Sequence, residues 1–103
     1  METIKNGMRP IHPGEVLREE FLIPLGINAH ALSMALQVPA PRIHEIVHER
    51  RSITVDTAMR LAKYFGTSAQ FWLGLQTDYD MAVAQTTMSE ALARISRCEL
   101  IGT

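Results

Sequence analysis

At 103 residues the chain has room for one modest hydrophobic core and no second module. Its 47% apolar and 20% charged residues are those of an ordinary globular protein, which excludes a disordered chain. The net charge of −1 withholds the basic footprint that nucleic-acid binders usually carry, and no run approaches the roughly 20 apolar residues of a membrane span. The charge is unevenly placed, however. Residues 28–66 hold five Lys/Arg against three Asp/Glu, with three of the four histidines in addition. Residues 1–27 hold three against four, and residues 67–103 two against four. The polar stretch Met1 to Pro10 lacks the apolar run of a secretory signal, and the lone Cys98 excludes an internal disulfide. Both point to a cytoplasmic protein in a reducing compartment, with Cys98 a buried or half-buried filler.

The punctuation predicts five or six helices. His12-Pro13-Gly14-Glu15 starts the first, with proline in the first turn and a glutamate where the macrodipole favours an anion. Val16, Leu17, Glu20 and Phe21 follow at helical spacing, and Pro24 is expected to stop the run. Asn28 is a good N-cap for a second helix over 28–37, and Pro39-Ala40-Pro41 opens a third that runs to about His48. Thr54 caps a fourth, with Ala58, Leu61, Ala62 and Phe65 as its inward stripe and Gly66 closing it. Ser68 caps a fifth, long helix through Phe71, Leu75 and Tyr79 towards Ala84. Thr87-Met88-Ser89-Glu90 has capping-box spacing for a last short helix ending near Cys98. Met34, Met59, Met81 and Met88 are expected to serve as soft core filler, and Trp72 to lie in the core. Without strand alternation or repeats, the class is all-α, a single helical domain over residues 1–103.

Residues 28–37 and 39–48 are two short helices joined by a tight connection, the arrangement of a helix-turn-helix over about 28–48. On the second of them Ile43, Ile46 and Val47 share one side, and would pack on Leu32 and Leu36. Pro41, His44, Glu45 and His48 take the opposite side, with Arg42 on a flank. A recognition helix needs that division: one face clamped to the domain, the other offering groups to base edges in the major groove. Arg42 suits guanine or a phosphate, Glu45 a cytosine amino group, His44 either a donor or an acceptor. Ala40 and Pro41 at the tip suit a thymine methyl, and Arg50-Arg51 past the helix suit phosphate anchoring. The pattern alone is equally that of a helical hairpin with a solvated outer face.

A rival chemistry lies in the same stretch. His44-Glu45-Ile46-Val47-His48 spells H-E-x-x-H, two histidines able to chelate zinc with a glutamate as general base. The extended form needs glycine and histidine downstream, where this chain has Arg51 and Thr54. A third ligand would have to come from Glu90 or Asp78, and no strand is present to hold a peptide. A zinc metalloprotease is thus a remote alternative, and adventitious metal on His44 and His48 a nearer one. No serine lies in a nucleophile elbow and no glycine-rich phosphate loop exists, so neither enzyme activity nor a cofactor is expected. Phe71, Trp72 and Tyr79 could alternatively anchor a dimer or partner interface.

The blocks His12-Pro13-Gly14-Glu15, Arg18-Glu19-Glu20-Phe21-Leu22 and Pro24-Leu25-Gly26 resemble the opening of HigA-type antitoxins. So do Arg42-Ile43-His44-Glu45-Ile46-Val47, Arg51-Ser52-Ile53-Thr54, Asp56-Thr57-Ala58, Arg60-Leu61-Ala62, Tyr64-Phe65-Gly66-Thr67-Ser68, Phe71-Trp72-Leu73, Leu75-Gln76 and Tyr79-Asp80. The likeness covers about residues 8–84. It implies a five- to six-helix, lambda-repressor-like fold of the XRE group, a homodimer, and a palindromic operator in the protein's own promoter. It also implies neutralisation of a RelE-like, mRNA-cleaving toxin. By position, Ala40, Pro41, Arg42, His44, Glu45 and His48 fall where the family reads DNA, and Arg50 where it touches phosphate. The dimer contacts are expected from the helices over about 68–98, since a face given to DNA cannot also bury the seam.

Two departures stand out. The family commonly has glycine where this chain has Gln37, and Asn-Gly-Lys-Arg where it has His48-Glu49-Arg50-Arg51. Glu49 must therefore adopt a left-handed backbone at a cost, or the turn must differ. Two other readings stay open: a protein-interaction module that no longer reads DNA, favoured by Glu45 and Glu49, and a stand-alone regulator without a toxin.

Overall fold

A histidine and a proline start the first helix. His12 Nδ1 accepts the Gly14 N–H at 2.8 Å, and Pro13 takes the first helical position, where its missing N–H costs nothing. In the computed structural model, which describes residues 9–101, this helix (α1) is continuous but changes its winding. It is α-helical over Pro13–Val16, π-wound over Leu17–Leu22 and α-helical again over Ile23–Leu25. Pro24 therefore does not stop the run as expected. The wider turn bonds the Ile23 N–H to the Arg18 carbonyl, a register that relaxes the helix just before a residue unable to join i→i−4 bonding. Gly26, in the left-handed region at φ 66°, ends the helix instead.

The next four helices follow the caps. Asn28 accepts the Ala31 N–H at 2.7 Å and opens α2, Ala29–Leu36. Pro39 precedes α3, Ala40–Val47, with Pro41 in its first turn. Thr54 accepts the Thr57 N–H to open α4, Val55–Phe65, which Gly66 closes at φ 74°. Ser68 accepts the Phe71 N–H at 3.0 Å and opens α5, Ala69–Thr87.

The core is small and lies at one end. Leu17, Leu22, Leu32, Leu36, Ile43, Ile46, Val47, Ile53, Ala58, Leu61 and Trp72 fill it. Trp72 is wholly buried, its Nε1 donating to Thr67 Oγ1 at 2.8 Å, with Phe21 at 5.0 Å between ring centroids. Among the described residues no strand occurs, and the fold is the all-helical one the sequence predicts.

Three expectations about the C-terminal part fail. Thr87 belongs to α5 and caps nothing: Met88 precedes α6, Ser89–Ala93, without a side-chain cap, and that helix ends short of Cys98. Cys98 is exposed, followed by a single 3₁₀ turn, Glu99–Ile101. The methionines are not core filler either, since Met34, Met59, Met81 and Met88 are 65%, 60%, 56% and 44% exposed. One reason covers the first two and the exposure of Met81 and Met88, whereas Met34 and Met59 lie on the outer sides of α2 and α4. Beyond Gln76 no residue of α5 is buried, so the second half of α5 and α6 project from the core. The molecule extends 53 × 29 × 24 Å with a radius of gyration of 17.0 Å, against about 13 Å for a compact domain of this length.

Candidate nucleic-acid interface

The amphipathic division of α3 is as the spacing requires. Ile43, Ile46 and Val47 are buried, with Leu32 and Leu36 of α2 in the same core. Pro41, His44 and His48 are exposed, while Ala40, Arg42 and Glu45 are half-buried on the flanks. Arg50 and Arg51 are exposed in the following loop. All eight residues singled out for DNA contact thus border one surface formed by α3 and the loop after it.

Both ends of the helix pair are turned by left-handed, non-glycine residues. Gln37 (φ 62°) follows α2, where its N–H reaches the Met34 carbonyl at 3.1 Å and the Val38 N–H reaches Ser33 at 3.0 Å. Glu49 (φ 64°) follows α3, its N–H on the Ile46 carbonyl at 2.9 Å and the Arg50 N–H on Glu45 at 2.8 Å. Each is a Schellman closure, the place where glycine is ordinarily chosen. The turns keep the geometry that glycine would give, and Gln37 and Glu49 bear the strain.

Four contacts that sequence reasoning missed hold α3 in place. The first is Gly14: a Cβ there would lie 1.8 Å from the Ile46 carbonyl oxygen, so α1 and α3 meet backbone to backbone. The second is Arg18, which donates to the Val47 carbonyl at the C-terminal end of α3 and pairs with Glu49 at 3.3 Å. A cation there also complements the helix dipole. The third is Gln76, buried on α5, whose Oε1 accepts the Ile53 N–H at 2.7 Å and whose Nε2 donates to Asp80 at 2.9 Å. It ties the loop after α3 to the core. The fourth joins three helices. Arg42 Nη1 and Arg60 Nε both lie 2.7 Å from Asp56 Oδ1, and Arg60 Nη1 donates to the Leu36 carbonyl at 2.8 Å. Gly14 left a sequence signal, as a glycine inside a helical start, and Asp56–Arg60 and Gln76–Asp80 have helical i,i+4 spacing; the other contacts between elements join residues 14 to 31 apart with no periodic relation.

The charge of this surface is largely spoken for. Arg42 is paired with Asp56, Arg51 with Glu45 at 3.3 Å, and Arg18 with Glu49. Arg50 alone among the arginines of this surface has no ion-pair partner among the described residues. His12, buried under α1, stacks edge-on against Tyr79 with centroids 4.9 Å apart. Burial pushes its pKa down, against the opposing pull of Glu49 and Asp80, and the neutral ring is the form that caps Gly14.

His48 Nδ1 lies 2.7 Å from the His44 carbonyl, so that ring is turned back to its own helix. Among the described residues no group of three His, Cys, Asp or Glu side chains gathers to hold a metal, and neither Asp78 nor Glu90 joins the histidine pair. Phe71 is 40% exposed beside Trp72, and Tyr79 is half-buried against His12.

The chain is 59% identical over 81 residues to virulence-associated protein I of Dichelobacter nodosus, covering 79% of this chain and 75% of that one. It is 34% identical over 77 residues to antitoxin HigA-1 of Vibrio cholerae, covering 75% and 72%. This chain belongs to the HigA-type antitoxin family. Its fold superposes on that of the Pseudomonas aeruginosa antitoxin HigA, solved with the higBA promoter, with a TM-score of 0.83. That alignment has 48% sequence identity and covers 85% of this chain and 97% of that one. No family model matches the chain. Its relatives include an HTH-type transcriptional regulator of Haemophilus influenzae, 41% identical over 73 residues and covering 71% of this chain and 68% of that one. Among the described residues no helix is long and apolar enough to cross a membrane.

Proposed function

We propose that this protein is a cytoplasmic antitoxin and transcriptional repressor that binds a palindromic operator in its own promoter as a homodimer. The observation that carries the reading is α3: an inner stripe locked into the core, and an outer face of Pro41, His44 and His48 left to solvent. This helix occurs in a chain 48% identical to a HigA solved with promoter DNA. In use, α3 enters the major groove with Ala40, Pro41, Arg42, His44, Glu45 and His48 toward the bases, while Arg50 and Arg51 hold phosphates. Two such helices about 34 Å apart read the two half-sites. The proposed dimer seam runs along α5 and α6, where Met81 of α5, Met88 between the helices, Leu92 of α6 and Ile95 just past it are exposed without a core to cover them. The partner neutralised is a RelE-like, mRNA-cleaving toxin, an assignment that rests on the family.

Fluorescence anisotropy on the DNA upstream of the gene, at two salt concentrations and against a scrambled duplex, tests the repressor. Two protomers per operator and a steep salt dependence are expected. Arg42→Ala should weaken operator binding about tenfold, whereas Arg51→Ala should weaken all duplexes alike and reduce the salt slope by about one. Equal binding to both duplexes by the parent protein would refute operator reading. It would favour the second reading, a toxin-capturing module, which the internal pairing of Arg18, Arg42 and Arg51 supports.

A further inference from the structure

We infer that Asp56 is a positioning residue for DNA recognition: it fixes the Arg42 guanidinium at the tip of α3, and through Arg60 fastens that tip to the end of α2. The inference rests on the operator-reading function above and names a residue which that reading leaves outside the DNA contacts.

Arg42 is the third residue of α3, at the helix end that a recognition helix points into the groove. A free arginine there samples many rotamers, and ordering it on the DNA costs binding free energy. Here the cost is met in advance, since Nη1 is already held 2.7 Å from Asp56 Oδ1 and the Arg42 side chain is 29% exposed. Asp56, its side chain 55% exposed, has a second partner. It sits in the first turn of α4, where the helix dipole favours an anion, and receives the Arg60 Nε at 2.7 Å. Arg60 is anchored in turn on the Leu36 carbonyl, next to the left-handed Gln37. The Arg60 hydrogen bond, and then that of Arg42, hold the Asp56 carboxyl below the usual carboxylate range, so it stays an anion. One carboxylate oxygen thus serves two guanidinium groups from two different helices. Arg42 keeps further N–H donors, enough for the bidentate contact to guanine O6 and N7 that discriminates bases.

The sign of the expected effect separates positioning from simple electrostatics. Asp56 is a negative charge beside a DNA-binding surface, so removing it would, by charge alone, tighten every duplex. If it positions Arg42, removing it weakens the operator while leaving non-specific binding unweakened. Asp56→Asn preserves shape and remains acceptable in a first helical turn, and near-UV circular dichroism of Trp72 reports that the core is intact. The experiment titrates the parent, Asp56→Asn, Arg42→Ala and the double variant onto operator and scrambled duplexes. Asp56→Asn is expected to lose about tenfold in operator affinity with no loss on the scrambled duplex. In the Arg42→Ala background the same change should produce no further loss of discrimination. Equal tightening of both duplexes, or an operator loss of the same size with and without Arg42, would overturn the inference while operator reading stands. A parent that does not distinguish the duplexes would overturn operator reading itself, and the role of Asp56 with it.

Discussion

Replacing Gly14 by alanine tests how the recognition helix is seated. The added Cβ falls 1.8 Å from the Ile46 carbonyl oxygen. A carbon–oxygen contact of this kind needs about 3.3 Å, so α1 and α3 must separate by about 1.5 Å. Neither can yield cheaply. The obstructing atom is backbone in a helix whose Ile43, Ile46 and Val47 are buried, and Gly14 is itself buried behind the His12 cap. Overpacking of this sort costs about 1–3 kcal/mol. For a domain of this size each kcal/mol lowers the melting temperature by about 4–8 °C, so a fall of roughly 4–24 °C is expected. Differential scanning calorimetry measures that fall, and anisotropy on the operator at 25 °C measures the effect of displacing α3. Operator affinity should drop more than binding to a scrambled duplex, because phosphate contacts tolerate a shift that base contacts do not. A variant melting within about 2 °C of the parent with full operator affinity would refute the backbone contact.

Two further outcomes follow from the strained turn and the buried histidine. Gln37→Gly removes a left-handed, non-glycine residue whose side chain is exposed and makes no hydrogen bond among the described residues. Allowing for glycine's greater unfolded freedom, it should stabilise by about 0.5–1 kcal/mol, and a melting temperature that fails to rise would show the turn to be unstrained. Because burial lowers the His12 pKa, the unfolded chain takes up its proton first, near pH 6.5. The stability from neutral His12 is therefore complete above that pH. It is lost as pH falls from about 6.5 towards the lowered folded value, and levels off below it. Urea midpoints between pH 8 and pH 5 should show this loss in the parent and a smaller one in His12→Asn, which keeps an N-cap acceptor; equal losses would rule His12 out.

Most helix starts and stops were legible in the chain because they are local. Asn28, Thr54 and Ser68 bond to N–H groups three residues ahead, and Gly66 needs only its own backbone freedom. The division of α3 was legible for the same reason, since 100° per residue places Ile43, Ile46 and Val47 together whatever they pack on. The strain at Glu49 was announced by a missing glycine, and the left-handed geometry persists without it.

What failed in the sequence reading was what depends on neighbours. The methionines have apolar spacing, but spacing cannot reveal that α5 outruns the core, so Met81 and Met88 meet solvent. Pro24 is a helix breaker in an α-helical register, and only the π turn before it lets the helix continue. Gly14 against Ile46, Gln76 beneath Ile53, and Arg42 on Asp56 are contacts between elements, with no period to betray them. The sequence by itself determined the caps that open α2, α4 and α5 and which side of α3 faces outward, because these are set within a few residues of chain. Tertiary structure alone decided how that face is held and how much of its positive charge is neutralised, because ion pairs and close contacts arise only when distant segments meet.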